Sequence, residues 1–250
     1  MSSKSFLFCA ALTAGVSATI AQAQQLGASE YQSIGLVNTL AGNIGNNGLL
    51  SSSATETGKY YLAGYSSLYA PTVGTSSALY APTSEASFNG AWTDNSATST
   101  WYTLSRDGDL AVDRLPEIGT FTTTLSFDLT GYQNVGFNID MSFDDSIAVY
   151  LNGNLLTLTG DNAGRYSSLG LAYAITEGTT NNSYLNQGGV NTFRFEVTNS
   201  SGKDTSATGF RVEFSDLVGD ASPVPEPSTY GLLLGAGALG VMAWRRRKRA

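Results

Sequence analysis

Histidine is absent from all 250 residues. Its loss excludes Ser-His-Asp and Cys-His nucleophilic catalysis, and with it zinc sites built on imidazole. Cysteine occurs once, as Cys9, inside the hydrophobic start of the chain. A single thiol cannot close a disulfide within the chain, so stability has to come from packing. Charge is scarce as well, at 13% of residues, and cations are the rarer sign. Six of the 13 basic residues, Lys4 and the five near the C-terminus, sit in the two hydrophobic ends. The stretch Gln24 to Pro227 keeps the other seven against 20 acids, a net charge of about −13. Such a surface repels phosphate backbones, which excludes nucleic acid as a partner. Between the two ends there is no long amphipathic helical pattern. What these absences leave open is carboxylate chemistry and calcium held by oxygen ligands, with no other cofactor indicated.

The hydrophobic ends are distinct in kind. Met1 to Ala23 has a positive start at Lys4, a mostly apolar run from Phe6 to Ile20, and the small-x-small site Ala21-Gln22-Ala23. This is the pattern of a secretory signal peptide, with Gln24 as the mature N-terminus. At the other end, Pro223, Pro225 and Pro227 form a stiff, non-helical lead-in. Ser228 to Trp244 is uncharged, and Arg245, Arg246, Arg247, Lys248 and Arg249 close the chain. An apolar helix of about 17 residues reaches the lower limit of a bilayer span. The reading is a transmembrane helix with its basic cluster as a cytoplasmic stop-transfer signal, Tyr230 and Trp244 lying near the two interfaces. A buried core helix with a basic tail is the other reading. The expected organisation is a signal peptide (1–23), an exported domain (24–222) and a C-terminal segment (223–250).

Val224-Pro225-Glu226-Pro227-Ser228-Thr229, the apolar span and the terminal Arg run resemble the PEP-CTERM sorting signal. The resemblance implies export by a Gram-negative bacterium and recognition of Val224, Pro225, Glu226 and Pro227 by an exosortase, a membrane protease. The protein would be anchored in the inner membrane by its C-terminal helix before processing, then reach the cell surface or the extracellular matrix.

The middle of the chain reads as strands. Phe121, Thr123, Leu125, Phe127 and Leu129 alternate with Thr and Ser, and Val135, Phe137, Ile139, Met141 and Phe143 alternate with small or polar residues. Period-two alternation means one buried and one wet face. Ile147 to Leu151 meets Asn152-Gly153 and then Asn154 to Leu158, which predicts a β-hairpin on a type I′ turn. Phe193, Phe195 and Val197, and later Phe210, Val212 and Phe214, alternate with Arg194 and Glu196, and with Arg211 and Glu213. Gln24 to Ala63 is rich in Gly, Asn and Ser and reads as loops. Leu68-Tyr-Ala-Pro-Thr72 returns as Leu79-Tyr-Ala-Pro-Thr83, too few copies for a solenoid. The fold class is mainly β, an antiparallel β-sandwich flanked by an N-terminal signal helix and a C-terminal transmembrane helix.

The order Phe127-Asp-Leu-Thr-Gly-Tyr132, Ser142-Phe-Asp-Asp145, Val149-Tyr-Leu-Asn-Gly153, Gly189-Val-Asn-Thr-Phe-Arg-Phe195 and Thr208-Gly-Phe-Arg-Val212 resembles galactose-binding-like jelly rolls. That resemblance implies a jelly roll of eight or nine strands and carbohydrate binding. Trp92, with Asp94 and Asn95, Trp101, with Arg106 and Asp107, and Tyr102 are candidates for a sugar platform in which a ring face carries C–H groups and polar neighbours hold hydroxyls. The other reading makes the tryptophans core anchors. Asp144 and Asp145 are the candidate calcium ligands, provided the chain bends there, since strand neighbours otherwise point to opposite faces. Asp107-Gly-Asp109 with Asp113 is a second candidate, and for both acidic sites the alternative is a solvated turn. A glycosidase would need two carboxylates across a cleft, drawn from Glu117, Glu177, Asp144 and Asp145. The function expected is a non-catalytic protein that binds extracellular polysaccharide, with a purely structural matrix protein as the alternative.

Overall fold

Strands supply almost all the regular structure among the described residues. A computed structural model describes residues 24–25, 27–46, 56–67, 81, 92–104, 119–159, 166–167, 169, 171–176, 178–199, 208–221 and 244. In chain order its elements are β1 (Gln24–Gln25), α1 (Ala28–Ile34), β2 (Tyr60–Ser67), β3 (Tyr102–Thr103), β4 (Gly119–Asp128) and β5 (Tyr132–Asp144). They continue with β6 (Ser146–Leu151), β7 (Asn154–Thr159), β8 (Leu171–Ile175), β9 (Val190–Asn199) and β10 (Gly209–Ala221).

The strands form two antiparallel sheets of five. The first runs β1-β10-β5-β8, with β3 also on β10; the second runs β2-β4-β9-β6-β7. Alternation decides which side of each strand is buried. β4 turns Phe121, Thr123, Leu125 and Phe127 inward, and β9 does the same with Phe193, Phe195 and Val197. From the first sheet come Phe137, Ile139, Met141 and Phe143 of β5 and Phe210, Val212 and Phe214 of β10. The two inner faces meet in one aromatic core. Phe193 lies 5.6 Å from Phe214 and 6.1 Å from Phe137, ring centre to ring centre, and Phe195 lies 5.4 Å from Phe210. Aromatic pairs at such separations add about 1 kcal/mol each beyond simple burial. The expected sandwich of antiparallel strands is therefore present.

The hairpin is where the sequence places it. β6 and β7 pair Leu151 with Asn154, and Asn152 (φ 50°) and Gly153 (φ 81°) supply the left-handed turn. The N-terminal segment, read as loops, contains α1, and β2 follows within the next thirty residues or so. α1 ends on Gly35, whose φ of 79° closes the helix while Leu36 N–H reaches back to Tyr31 O at 3.1 Å. A methyl group on Gly35 would come within 2.6 Å of the Gly58 nitrogen and strike Thr57. Gly35→Ala therefore combines an unfavourable backbone angle with a backbone clash. The expected loss is about 2 kcal/mol or more in a urea melt.

One part of the expected architecture is overturned. The sequence predicts a signal helix over residues 1–23 and a transmembrane helix over 228–244. Among the described residues, however, no helix is long and apolar enough to cross a membrane, and α1 has seven residues. Both segments fall outside the described residues, apart from Trp244. Hydropathy measures how well a segment suits lipid and does not itself make a helix. The transmembrane assignment, the partnership with the membrane through a C-terminal helix and the inner-membrane anchoring before processing are corrected accordingly. The Leu-Tyr-Ala-Pro-Thr repeat, Ala81 apart, the sorting residues Val224 to Pro227 and the basic residues Arg245 to Arg249 also lie outside the described residues.

Candidate functional site: an aspartate pair under an aromatic strap

β5 presents Asn138, Asp140, Ser142 and Asp144 on the face opposite its core residues, because successive side chains of a strand alternate. Ordinarily that face would meet water. Here its last part is covered, leaving Ser142 with no exposed surface and Asp144 buried. The cover is the irregular segment 92–104, which lies along the outside of the first sheet and joins it through β3, where Tyr102 pairs with Phe210 and Thr103 with Gly209.

Four groups of β10 fasten this strap. Arg211 is 3% exposed, although the alternation of its strand predicts a wet position. Its Nε donates to Ser99 Oγ, Nη1 to Asp94 O at 2.5 Å, and Nη2 to Ser96 Oγ and Glu213 Oε1, both at 2.9 Å. Glu213 also accepts from Ser99 Oγ at 2.5 Å and Thr98 Oγ1 at 3.1 Å. These donors pull the Glu213 carboxyl below its ordinary range, against the upward push of burial, which is the largest single influence on it. Within the strap, Asn95 Oδ1 accepts from Trp101 N–H and the Trp101 indole donates to Thr93 O, each at 2.8 Å.

The strap carries two of the sequence candidates. Trp92 and Trp101 pack on one another with ring centres 4.0 Å apart, and Tyr166 closes this small second core. Trp101 has no exposed surface and Trp92 has 5%. Trp92 also fills the space left by the missing side chain of Gly209, where a Cβ would stand 2.9 Å from its ring. Asp94, between them, is exposed. The structure thus brings Trp92, Asp94 and Trp101 together. Arg106, Asp107, Asp109, Asp113, Glu117 and Glu177 lie outside the described residues.

Asp144 and Asp145 occupy the bend that their shared use requires. β5 ends at Asp144 in the first sheet and β6 begins at Ser146 in the second, so Asp145 alone carries the chain across. The peptide bond between the two is cis. Asp144 and Asp145 are 8% and 6% exposed. Trp92 Nε1 donates to Asp144 Oδ2 at 2.8 Å, and Asp145 N–H donates to Thr198 O at 3.3 Å. Burial pushes the Asp144 carboxyl up to about 7. Hydrogen bonding to Asp145 adds to this, the Trp92 indole opposes it, and the charge of Asp145 contributes a smaller upward push. Two buried carboxyls in hydrogen-bond contact cannot both ionise without a counter-charge, so the pair retains a proton near neutral pH. A divalent cation would replace that proton. Among the described residues no third acidic side chain joins the pair, and the other oxygens of a calcium shell would come from carbonyls, water or a ligand.

Residues 223–248 match the model of the PEP-CTERM protein-sorting motif. The chain carries that sorting signal. The motif occupies the tail and leaves the two-sheet domain unassigned. No curated protein matches the chain. Among solved structures, a β-glucosidase from Kluyveromyces marxianus in complex with glucose is 18% identical, with a TM-score of 0.28, over 40% of this chain and 10% of that one. TmCBM61 in complex with β-1,4-galactotriose is 11% identical, with a TM-score of 0.33, over 74% of this chain and 98% of that one. The ANX2 ectodomain from Arabidopsis thaliana is 12% identical, with a TM-score of 0.28, over 62% and 44%. The chain spans about a tenth of the length of the β-glucosidases it matches. Likenesses at these values are too distant to speak for fold or ligand.

Proposed function

We propose that the PEP-CTERM chain is an exported, non-catalytic carbohydrate-binding protein of the cell surface or extracellular polysaccharide matrix, in which Asp144 and Asp145 hold calcium and the calcium receives saccharide hydroxyls. Its sandwich is read as a jelly roll of the galactose-binding-like kind, and its Val224-Pro225-Glu226-Pro227 motif as the recognition site of an exosortase-type protease. The observation that carries the binding role is the convergence of two buried carboxyls at the crossing between sheets, with an indole fixing one of them.

Calcium takes six to eight oxygens, and two aspartates supply only part of that number. The remaining positions suit vicinal hydroxyls of a sugar ring. Glycoside hydrolysis asks for something else: carboxyls about 5 Å or more apart, with a sugar between them. A pair in mutual hydrogen-bond contact is too close for that role, which supports the non-catalytic reading. The alternative of a purely structural matrix protein draws on the outer faces of β4 and β9, where Thr120, Thr122, Ser126, Thr192 and Thr198 form a half-exposed, hydroxyl-rich surface.

Titration calorimetry with calcium after chelation tests the reading. One calcium per chain is expected, with Asp144→Asn or Asp145→Asn weakening it at least a hundredfold, and glycan-array signals that disappear in chelator. No heat and no change in melting temperature on adding calcium would remove the proposed site and favour the structural alternative.

A further inference from the structure

A separate cleft of about 390 Å³ opens between α1 with the segment that follows it and the middle of β10. Its walls include Tyr31, Leu40 and Phe214, and its polar groups include Gln32, Asn43 and Asp216. It stands on residues distinct from the aspartate pair. Asp144 is paired with Gly209 at one end of β10, and Asp216 lies seven residues further along, roughly 23 Å away at about 3.3 Å per residue.

We propose that this cleft is a second, calcium-independent saccharide site, and that it takes an amino sugar bearing a free, protonated amine. Size is the first argument. The volume is at the small end for ligand sites, enough for one or two sugar rings, and the mixture of apolar walls with a few polar groups is the usual composition of such sites. Charge is the second. Among the described residues Asp216 is the only charged side chain lining the cleft, and it is exposed. Glu213 stands opposite Asp140 in the pairing of β10 with β5 and Asp216 bonds Asn138 on the same face of β5, and burial first, then the charges of Glu213 and Asp216, raise the Asp140 carboxyl. Arg211, the cation nearest to them in sequence, is committed to Glu213 and the strap. An ammonium group placed beside Asp216 would meet negative potential with no competing cation among the lining residues.

The cleft is also held in shape. Asp216 sits at an irregularity of β10 with φ 51° and accepts a 2.7 Å hydrogen bond from Asn138 Nδ2. Tyr31 Oη accepts the Leu217 N–H at 2.5 Å. Burial keeps that phenol protonated at neutral pH, so its O–H remains a donor. The Asn43 amide donates to Asn38 O at 2.9 Å, and Asn38 in turn accepts from Phe214 N–H at 2.8 Å. A ligand would therefore enter a site whose walls are already fixed, at low ordering cost.

The test is calorimetric titration of the full chain in chelator at pH 6 with three trisaccharides: glucosamine, N-acetylglucosamine and glucose trimers. The glucosamine trimer is expected to bind at least tenfold more tightly than the other two. Asp216→Asn should reduce its affinity at least tenfold while leaving the calcium titration unchanged. Asparagine tolerates a left-handed backbone and can still accept from Asn138, so the variant keeps its fold. Equal affinity for all three sugars, or an Asp216→Asn variant that binds the glucosamine trimer as well as wild type, would overturn the proposal. The second result would show general attraction to an acidic surface. Because chelator is present in every sugar titration, the sugar result does not depend on whether the aspartate pair binds calcium.

Discussion

In the absence of calcium the protein should melt at a higher temperature at pH 5.5 than at pH 8. The cause is Asp144, whose carboxyl has an ordinary value of 3.8 and is pushed up to about 7 by burial and by its neighbour. A folded-state pKa above the unfolded one means that the folded chain retains a proton the unfolded chain has lost. That contribution is complete below about pH 4 and disappears as pH rises through 7. At about 1.4 kcal/mol per unit, the ceiling is about 4 kcal/mol. Glu213, whose carboxyl is lowered, works in the opposite sense, but its contribution falls away only below about pH 4.5, outside the interval compared. Saturating calcium should abolish or reverse the trend, since the metal requires the ionised pair. A site filled at a thousand times its dissociation constant adds about 4 kcal/mol. Scanning calorimetry at the two pH values, with calcium and with chelator, reads all four conditions. A flat pH response in chelator would mean that the pair holds no proton in the folded state.

The second large effect expected is at Arg211. Replacing it with methionine keeps much of the buried stem while removing every hydrogen bond that Arg211 gives to the strap. Glu213 would lose its cation, and Asp94 O, Ser96 and Ser99 would lose hydrogen bonds together. Removing a buried cation together with its three hydrogen bonds to the strap costs about 2 kcal/mol or more, although Glu213 itself is partly exposed. The loss should appear in urea denaturation and as new protease cleavage between residues 92 and 104. Glu213→Gln should be milder, because an amide oxygen can still accept from Ser99 and Arg211. The strap also delivers Trp92 to Asp144, so Arg211→Met is expected to weaken calcium binding at a residue remote from the metal.

These effects depend on features that were unequally visible in the sequence. β4, β5, β9 and β10 were legible because each has one wet face and one buried face, and the hairpin because Asn152-Gly153 permits few other conformations. Arg211 was misread for the same reason that its strand was read correctly. Alternation predicts which side of the sheet a residue takes, not whether another segment covers that side. Segment 92–104 has no periodicity to find, since side-chain hydrogen bonds such as Asn95 to Trp101 hold its shape. The aromatic residues announced themselves, but their partners did not. Asp144 and Asp145 were legible as an acidic pair, while their convergence depended on where the chain leaves one sheet for the other. One practical consequence concerns Trp101→Ala. With that ring fully buried, lost glycan binding in this variant would report collapse of the strap rather than a missing sugar contact.

β10 has one further implication, for the order of assembly. It is the last of the described strands to emerge during synthesis, yet it occupies the interior of its sheet, gripped by β5 on one side and by β1 and β3 on the other. Until residue 221 is available, the sheet has a gap where its keystone belongs, and the first residues after Ala23 have nothing to pair with. Contacts spanning almost the whole polypeptide close slowly. A domain built this way completes its first sheet only when that strand arrives.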